Sequence, residues 1–235
     1  MRILISFLLC VLLTGTAAAQ VRPVVVQPVE GPPLDAGVPG WGSVCMVGNQ
    51  NPAAYAVTDW IHGDESYGTM FFAERPPCGC AGGFFITAVH MLMNFGPEDV
   101  PVSFDAYATF RENSFDEATG CNVPGAFLCS SPVWQSPVWT VNITSAGLYD
   151  VQLDMGMAEC PCAEFGYTYA VTMDILTPFT SYPDAVIDDA PVGCTSYLDS
   201  GLGWQDLQPV GFPGESVVFA DVWCCDDAVP EEPTT

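Results

Sequence analysis

Apolar and polar residues alternate with a period of two along much of this chain, in segments bounded by Gly, Pro, Asn and Asp. That period places successive side chains on opposite faces of a strand, and no stretch shows three turns of amphipathic helical periodicity instead. In the clearest segment Phe165, Tyr167, Tyr169, Val171, Met173 and Ile175 form one face, with Gly166, Thr168, Thr172 and Asp174 on the other. Trp139, Val141 and Ile143 alternate with Thr140, Asn142 and Thr144. Beyond Ser145-Ala146-Gly147, Tyr149, Val151, Leu153 and Met155 alternate with Asp150, Gln152 and Asp154. These two segments predict a hairpin with one buried and one solvated face. Residues 84–95 are apolar on both faces and predict a central strand, whereas 102–110 and 216–224 alternate again. Shorter candidates cover 43–48, 54–61 and 67–73.

Eight to ten strands over residues 41–225 predict an all-β fold: one antiparallel β-sandwich or jelly roll, stapled by disulfides. The chain is 49% hydrophobic, ample for its core. Too little chain follows the Pro- and Asp-rich stretch 177–193 for a second core, so that stretch reads as a long surface loop.

Residues 1–19 have the form of a secretion signal: Arg2, an apolar run over 3–13, and small residues from Thr16 to Ala19. The run is shorter than the ~20 residues that a membrane span needs. A secreted protein, extracellular or at the cell surface, is expected. Residues 20–40 combine Pro23, Pro28, Pro32, Pro33 and Pro39 with the run Val24, Val25 and Val26. Prolines at this density predict an extended arm or linker, and the valines are a candidate strand for the sheet edge of a neighbouring subunit. Residues 226–235, acidic and proline-containing, predict a disordered tail.

Cys10 lies in the signal, which leaves Cys45, Cys78, Cys80, Cys121, Cys129, Cys160, Cys162, Cys194, Cys224 and Cys225. An even set in an oxidising compartment predicts disulfides. Cys121 and Cys129 bracket a segment in which Pro124-Gly125 reads as a turn, so these two are expected to pair. Adjacent Cys224 and Cys225 point to opposite faces of a strand and need separate partners, for which Cys45 and Cys194 are candidates. Cys78-Gly79-Cys80 then pairs with Cys160-Pro161-Cys162. As thiolates these C-x-C motifs could hold zinc or copper, but zinc knuckles favour C-x-x-C and secretion favours oxidation, so no bound metal is expected.

There are 28 acidic residues, no lysine, and four arginines, one of them in the signal; the mature charge is 3 − 28 = −25. Such a chain cannot track a phosphate backbone or an anionic bilayer, which excludes nucleic acid and membrane surfaces as partners. The doublets Asp64-Glu65, Glu98-Asp99, Asp188-Asp189 and Asp226-Asp227 are places for a structural calcium, although none has the spacing of a dedicated loop.

His62 and His90 are the imidazoles available, and His90 sits in an apolar strand where it reads as packed. No G-x-S-x-G, H-E-x-x-H, phosphate-binding glycine loop or EF-hand spacing occurs, so catalytic residues and cofactors are not expected. Trp41 and Trp204 lie in glycine-rich loops and are candidate glycan contacts, whereas Trp60, Trp134, Trp139 and Trp223 read as core. Asn142, in Asn142-Ile143-Thr144, is a glycosylation acceptor on the outward face of its strand.

These observations converge on a secreted, non-enzymatic structural protein: a surface layer, sheath, filament subunit or adhesive module that self-assembles through its arm. A carbohydrate-binding β-sandwich module is the alternative. A secreted glycan-active hydrolase ranks third, because the two carboxylates it needs could be any of 28.

Overall fold

The computed structural model describes residues 24–29, 45–73, 83–127, 135–156, 162–164 and 166–225. The signal segment, most of the arm, Trp41, Trp134, Cys78, Cys80, Cys129, Cys160 and the acidic tail lie outside the described residues.

The strands in chain order are β1 (Val26–Pro28), β2 (Cys45–Gly48), β3 (Tyr55–Val57), β4 (Glu65–Phe72), β5 (Phe84–Phe95), β6 (Val102–Asp116) and β7 (Cys121–Phe127). There follow β8 (Trp139–Ile143), β9 (Gly147–Asp154), β10 (Thr168–Ile175), β11 (Asp184–Ile187), β12 (Ser196–Asp199), β13 (Trp204–Asp206) and β14 (Val218–Cys224). They form two packed seven-stranded sheets, and every strand pair is antiparallel. The first sheet runs β1-β3-β11-β5-β14-β2, with β9 on the opposite edge of β5. The second runs β13-β12-β4-β10-β6-β7, with β8 beside β7 on the outer edge of β6. The sandwich expected from the sequence is therefore the fold.

Residues 84–95 form the central strand that their two apolar faces foretell. The inward side chains of β5 are Phe84 and Ile86. Past a bulge opposite Asp221/Val222 they are Val89, Met91, Met93 and Phe95. They meet Phe104 and Phe110 of β6 and Tyr169, Val171 and Met173 of β10. Phe84 lies 6.1 Å from Phe110 and 6.0 Å from Tyr169, centroid to centroid. Burial of side chains this size contributes roughly 1.5–3 kcal/mol each, which makes this aromatic seam the main cohesive element between the sheets.

Three expectations need correction. Segments 139–143 and 147–154 are not a hairpin, because β8 pairs with β6 and β9 with β5, in opposite sheets. The turn at Ser145 carries the chain from one sheet to the other. A turn signal marks a reversal of direction but not the sheet in which the chain continues. Second, 177–193 is not all surface loop: its consecutive apolar residues Ala185, Val186 and Ile187 are buried in β11, between β3 and β5. Flanking Pro183 and Asp188-Asp189 hid a strand this short.

The third correction is the disulfide pairing. Cys121 pairs with Cys194, not Cys129, and Cys162 pairs with Cys225, so neither the Cys194 partnership nor the double C-x-C staple holds as expected. Pro124-Gly125 is strand rather than turn, and β7 carries the chain about 20 Å away from Cys121. Cys45 and Cys224 are also disulfide-bonded, so Cys224 and Cys225 do have separate partners. Disulfides of this kind belong to an oxidising compartment. Among the described residues no helix is long and apolar enough to cross a membrane.

Candidate functional site

Each sheet has an outer face, and the two differ. On the second sheet the outward residues of β10, Thr172 and Asp174, are as polar as the alternation requires, yet both are buried. Asp174 accepts hydrogen bonds from the hydroxyls of Ser66 and Thr172, and Thr172 shares a 2.6 Å bond with Thr109. Burial raises the Asp174 pKa, while these hydroxyls and the Arg111 guanidinium oppose the rise. A bulge between Arg111 and Asn113 redirects β6, and Val123 of β7 packs onto the outward Met70, Ala170 and Tyr197. The Tyr197 hydroxyl donates to the Asn122 carbonyl at 2.7 Å, and the Cys121–Cys194 bond anchors the same strand. Trp204 on β13 joins this cluster with the Arg111 guanidinium 5.6 Å over its ring. Trp204 is thus a structural element of the cover, half-buried rather than displayed on a loop.

The first sheet's outer face is divided: at one end Ala53 and Val29 pack over outward Leu92, Val186 and Phe219, whereas the other end is open. Trp223 of β14 stands directly across from Phe85 of β5, their rings 8° from parallel at 6.3 Å, and Trp223 is 39% exposed. In the next row Ala88 lies between Asp154 of β9 and Asp221 of β14. Next comes His90, buried and stacked on Phe219 at 4.6 Å. Its Nδ1 lies 3.0 Å from both Asp150 oxygens, and its Nε2 is 3.4 Å from Asp221 Oδ2. Burial pulls the His90 pKa down, but Asp150 and Asp221 together overcome it and lift the value to about 9. His90 is therefore an imidazolium at neutral pH, held between two carboxylates. Trp139 of β8, at the edge of the sandwich, also reaches the surface: it is 40% exposed, and its Nε1 donates to the Asp154 carbonyl at 3.0 Å. Trp139 and Trp223, expected in the core, are surface residues, while Trp60 is core.

No family model, curated protein or solved structure matches this chain. Its chemistry rests on the geometry alone.

At one end of the sandwich an open cleft of about 460 Å³ is lined by Glu112, Asn113, Glu164, Tyr167, Thr168 and Tyr169. The Tyr169 hydroxyl donates to the Glu164 carbonyl at 3.0 Å and accepts from its N–H at 3.2 Å, so this phenol is a strut of the cleft wall. Among the described residues one trio of metal-type ligands converges, Cys121, Cys194 and Asp206, and there the two sulfurs are bonded to each other. Asp206 Oδ2 instead accepts the Cys194 N–H at 2.8 Å.

In three of the doublets considered for calcium, one carboxylate engages protein donors. Asp188 is buried and accepts from the Asn49 and Asn51 amides at 3.1 and 2.6 Å and from the N–H groups of Ala190 and Glu215. Asp99 accepts the Gly96 N–H at 2.7 Å, and Glu65 accepts the Tyr67 hydroxyl. His62 stacks on Tyr182 at 3.8 Å. Asn142 is exposed on β8. Trp41 and Asp226-Asp227 are outside the described residues.

Of the arm, β1 pairs with β3 of its own chain, in the register Val26↔Val57, Gln27↔Ala56 and Pro28↔Tyr55. Val25 accepts from the Thr58 N–H and Val29 donates to the Ala54 carbonyl. Val26 and Pro28 therefore turn their backbone groups outward, and Pro28 has no N–H to present there. Val24 packs against the core, while Val25 and Val26 are 52% and 42% exposed.

Proposed function

We propose that this chain is a secreted, non-enzymatic structural or adhesive protein, the subunit of an extracellular layer, sheath or filament, and that subunits join by exchanging their N-terminal arms. The observation that carries the reading is the seat of β1. Its ladder is three residues long and Val25 and Val26 are largely exposed, so detaching it gives up chiefly the apolar contacts of Val24 and Val29, which the same seat on a neighbour restores. Every copy offers the same β3 edge, and an arm that leaves its own edge makes the identical ladder on a neighbour. Residues 30–44 connect the arm to β2 and can reach up to about 50 Å when extended, enough to cross to another subunit. Pro28 blunts the outer edge of β1, so exchange rather than addition beyond β1 is the route.

The charge of −25 sets the condition under which this happens, since like-charged protomers repel until salt or carboxylate protonation screens them. Light scattering and negative-stain microscopy of the mature protein test the reading. Polymers should appear as salt is added or pH lowered, and deletion of residues 20–33 should leave a folded monomer. A mature chain that stays monomeric at high concentration under all these conditions, or a deletion variant that assembles equally well, counts against it.

A further inference from the structure

The structure points to a second interaction site, independent of the arm: we infer that the open part of the first sheet's outer face, from Trp223 to Asp154, together with Trp139 at the adjoining sandwich edge, binds a neutral saccharide chain. Trp223 and Phe85 form a near-parallel ring pair on β14 and β5, and one row along Asp221 of β14 and Asp154 of β9 flank Ala88. Trp139 is fixed beyond Asp154 by the indole bond to its carbonyl. Two strand spacings of ~4.8 Å carry the site from β14 to β9, and Trp139 stands beyond the edge of β9, so the two exposed indoles flank Asp154 over the span of a short oligosaccharide.

The groups between the indoles suit hydroxyl-rich ligands. A pyranose ring lays its C–H edges on an indole face, and the hydroxyls around it donate to carboxylates. Asp154, exposed and already accepting the Gln152 amide at 3.0 Å, offers the acceptor, with Asp221 partly exposed beside the Trp223 ring. The charge pattern selects against other occupants. Anionic glycans are repelled by a chain of this net charge. A cationic peptide gains less than the carboxylate count suggests, because the buried His90 imidazolium already serves Asp150 and Asp221 as counter-ion.

The mature protein can be titrated with hexasaccharides of β-linked glucose, xylose, mannose or N-acetylglucosamine, followed by calorimetry and indole fluorescence. At least one should bind, and Trp223→Ala, Trp139→Ala and Asp154→Ala should each weaken it about tenfold or more, while Trp223→Phe keeps most of the affinity. Trp204→Ala, on the other sheet, should leave binding unchanged. Thermal melts confirm that each variant is folded, and Asp154→Ala decides the matter should Trp223→Ala fail to fold. The inference is overturned if none of the four sugars binds at millimolar concentration, or if hexalysine binds this face where sugars do not. It is equally overturned if Trp204→Ala abolishes binding and the first-sheet variants do not. Monomeric protein suffices throughout, so failure here is distinct from failure of arm exchange.

Discussion

The outer faces of the two sheets invert what their sequences advertise. On the second sheet the outward row Ser66, Thr109, Thr172 and Asp174 is polar, yet a returning strand and the Arg111–Trp204 contact close over it. On the first sheet residues 84–95 are apolar on both faces, yet outward Phe85 and its partner Trp223 remain partly open. Exposure is decided by whether a later segment comes back across a face, which is a matter of long-range topology. A covered polar face must satisfy its groups internally, and the hydroxyl chain from Ser66 to Thr109 does so. An open aromatic face carries no such demand and is available to a ligand.

The largest effect should come from releasing the cover. Closing a loop with a sequence separation of 73 contributes about 4 kcal/mol in the chain-entropy view, so Cys121→Ser with Cys194→Ser should lower stability by about that amount in denaturant melts. Hydrogen exchange should then quicken in 66–70 and 168–174 well before it does in 84–95. Equal loss of protection on both sheets would show that the bond holds the whole sandwich and not one face.

The sandwich itself was legible from alternation, and β5 from its two apolar faces. The cover was not. Its strand β7 contains Pro124-Gly125, which locally reads as a turn, and its anchor is a cysteine far along the chain. Trp139 and Trp223 were misread for a related reason: both sit in strands, but one lies at the sandwich edge and the other on an outer face, and strand pattern alone does not mark either position. Trp204 was read from its glycines as a displayed loop residue, whereas pairing of β13 with β12 brings it under Arg111. The arm was read as a linker or as a strand for a neighbour's edge, and the sequence carried no sign that residues 26–28 pair with β3 of the same chain.

The faces should also titrate in different windows. His90 on the first sheet has a folded pKa of about 9 against 6.5, so its stabilisation is fully present below pH 6.5 and is lost as pH rises toward 9, amounting to about 3 kcal/mol. Thermal melts should fall over that window, and His90→Gln should flatten the slope. On the second sheet burial raises Asp174, so its protonated form is favoured on folding. That contribution is present below the ordinary carboxylate pKa and disappears as pH climbs through the raised one. Asp174→Asn should remove an acid-side slope and leave the alkaline one intact. A shared response to both substitutions would mean that the two faces are coupled.

The smallest effect gives the sharpest comparison, since it sets one tryptophan on each face against the other. Trp204 packs on Met70, Ala170 and Tyr197 and lies under the Arg111 guanidinium, so Trp204→Ala loses buried area and a cation–π contact, a cost of about 2 kcal/mol. Trp223 makes one cross-strand ring pair on an open face, so Trp223→Ala should cost less than ~1 kcal/mol. Adding Arg111→Ala completes a double-mutant cycle in which Arg111 couples to Trp204 by about 1 kcal/mol and to Trp223 not at all. If urea melts show Trp223→Ala to be the costlier change, the open face is a structural surface in its own right. The division between a sealed face that holds the fold and an open face free to bind would then be wrong.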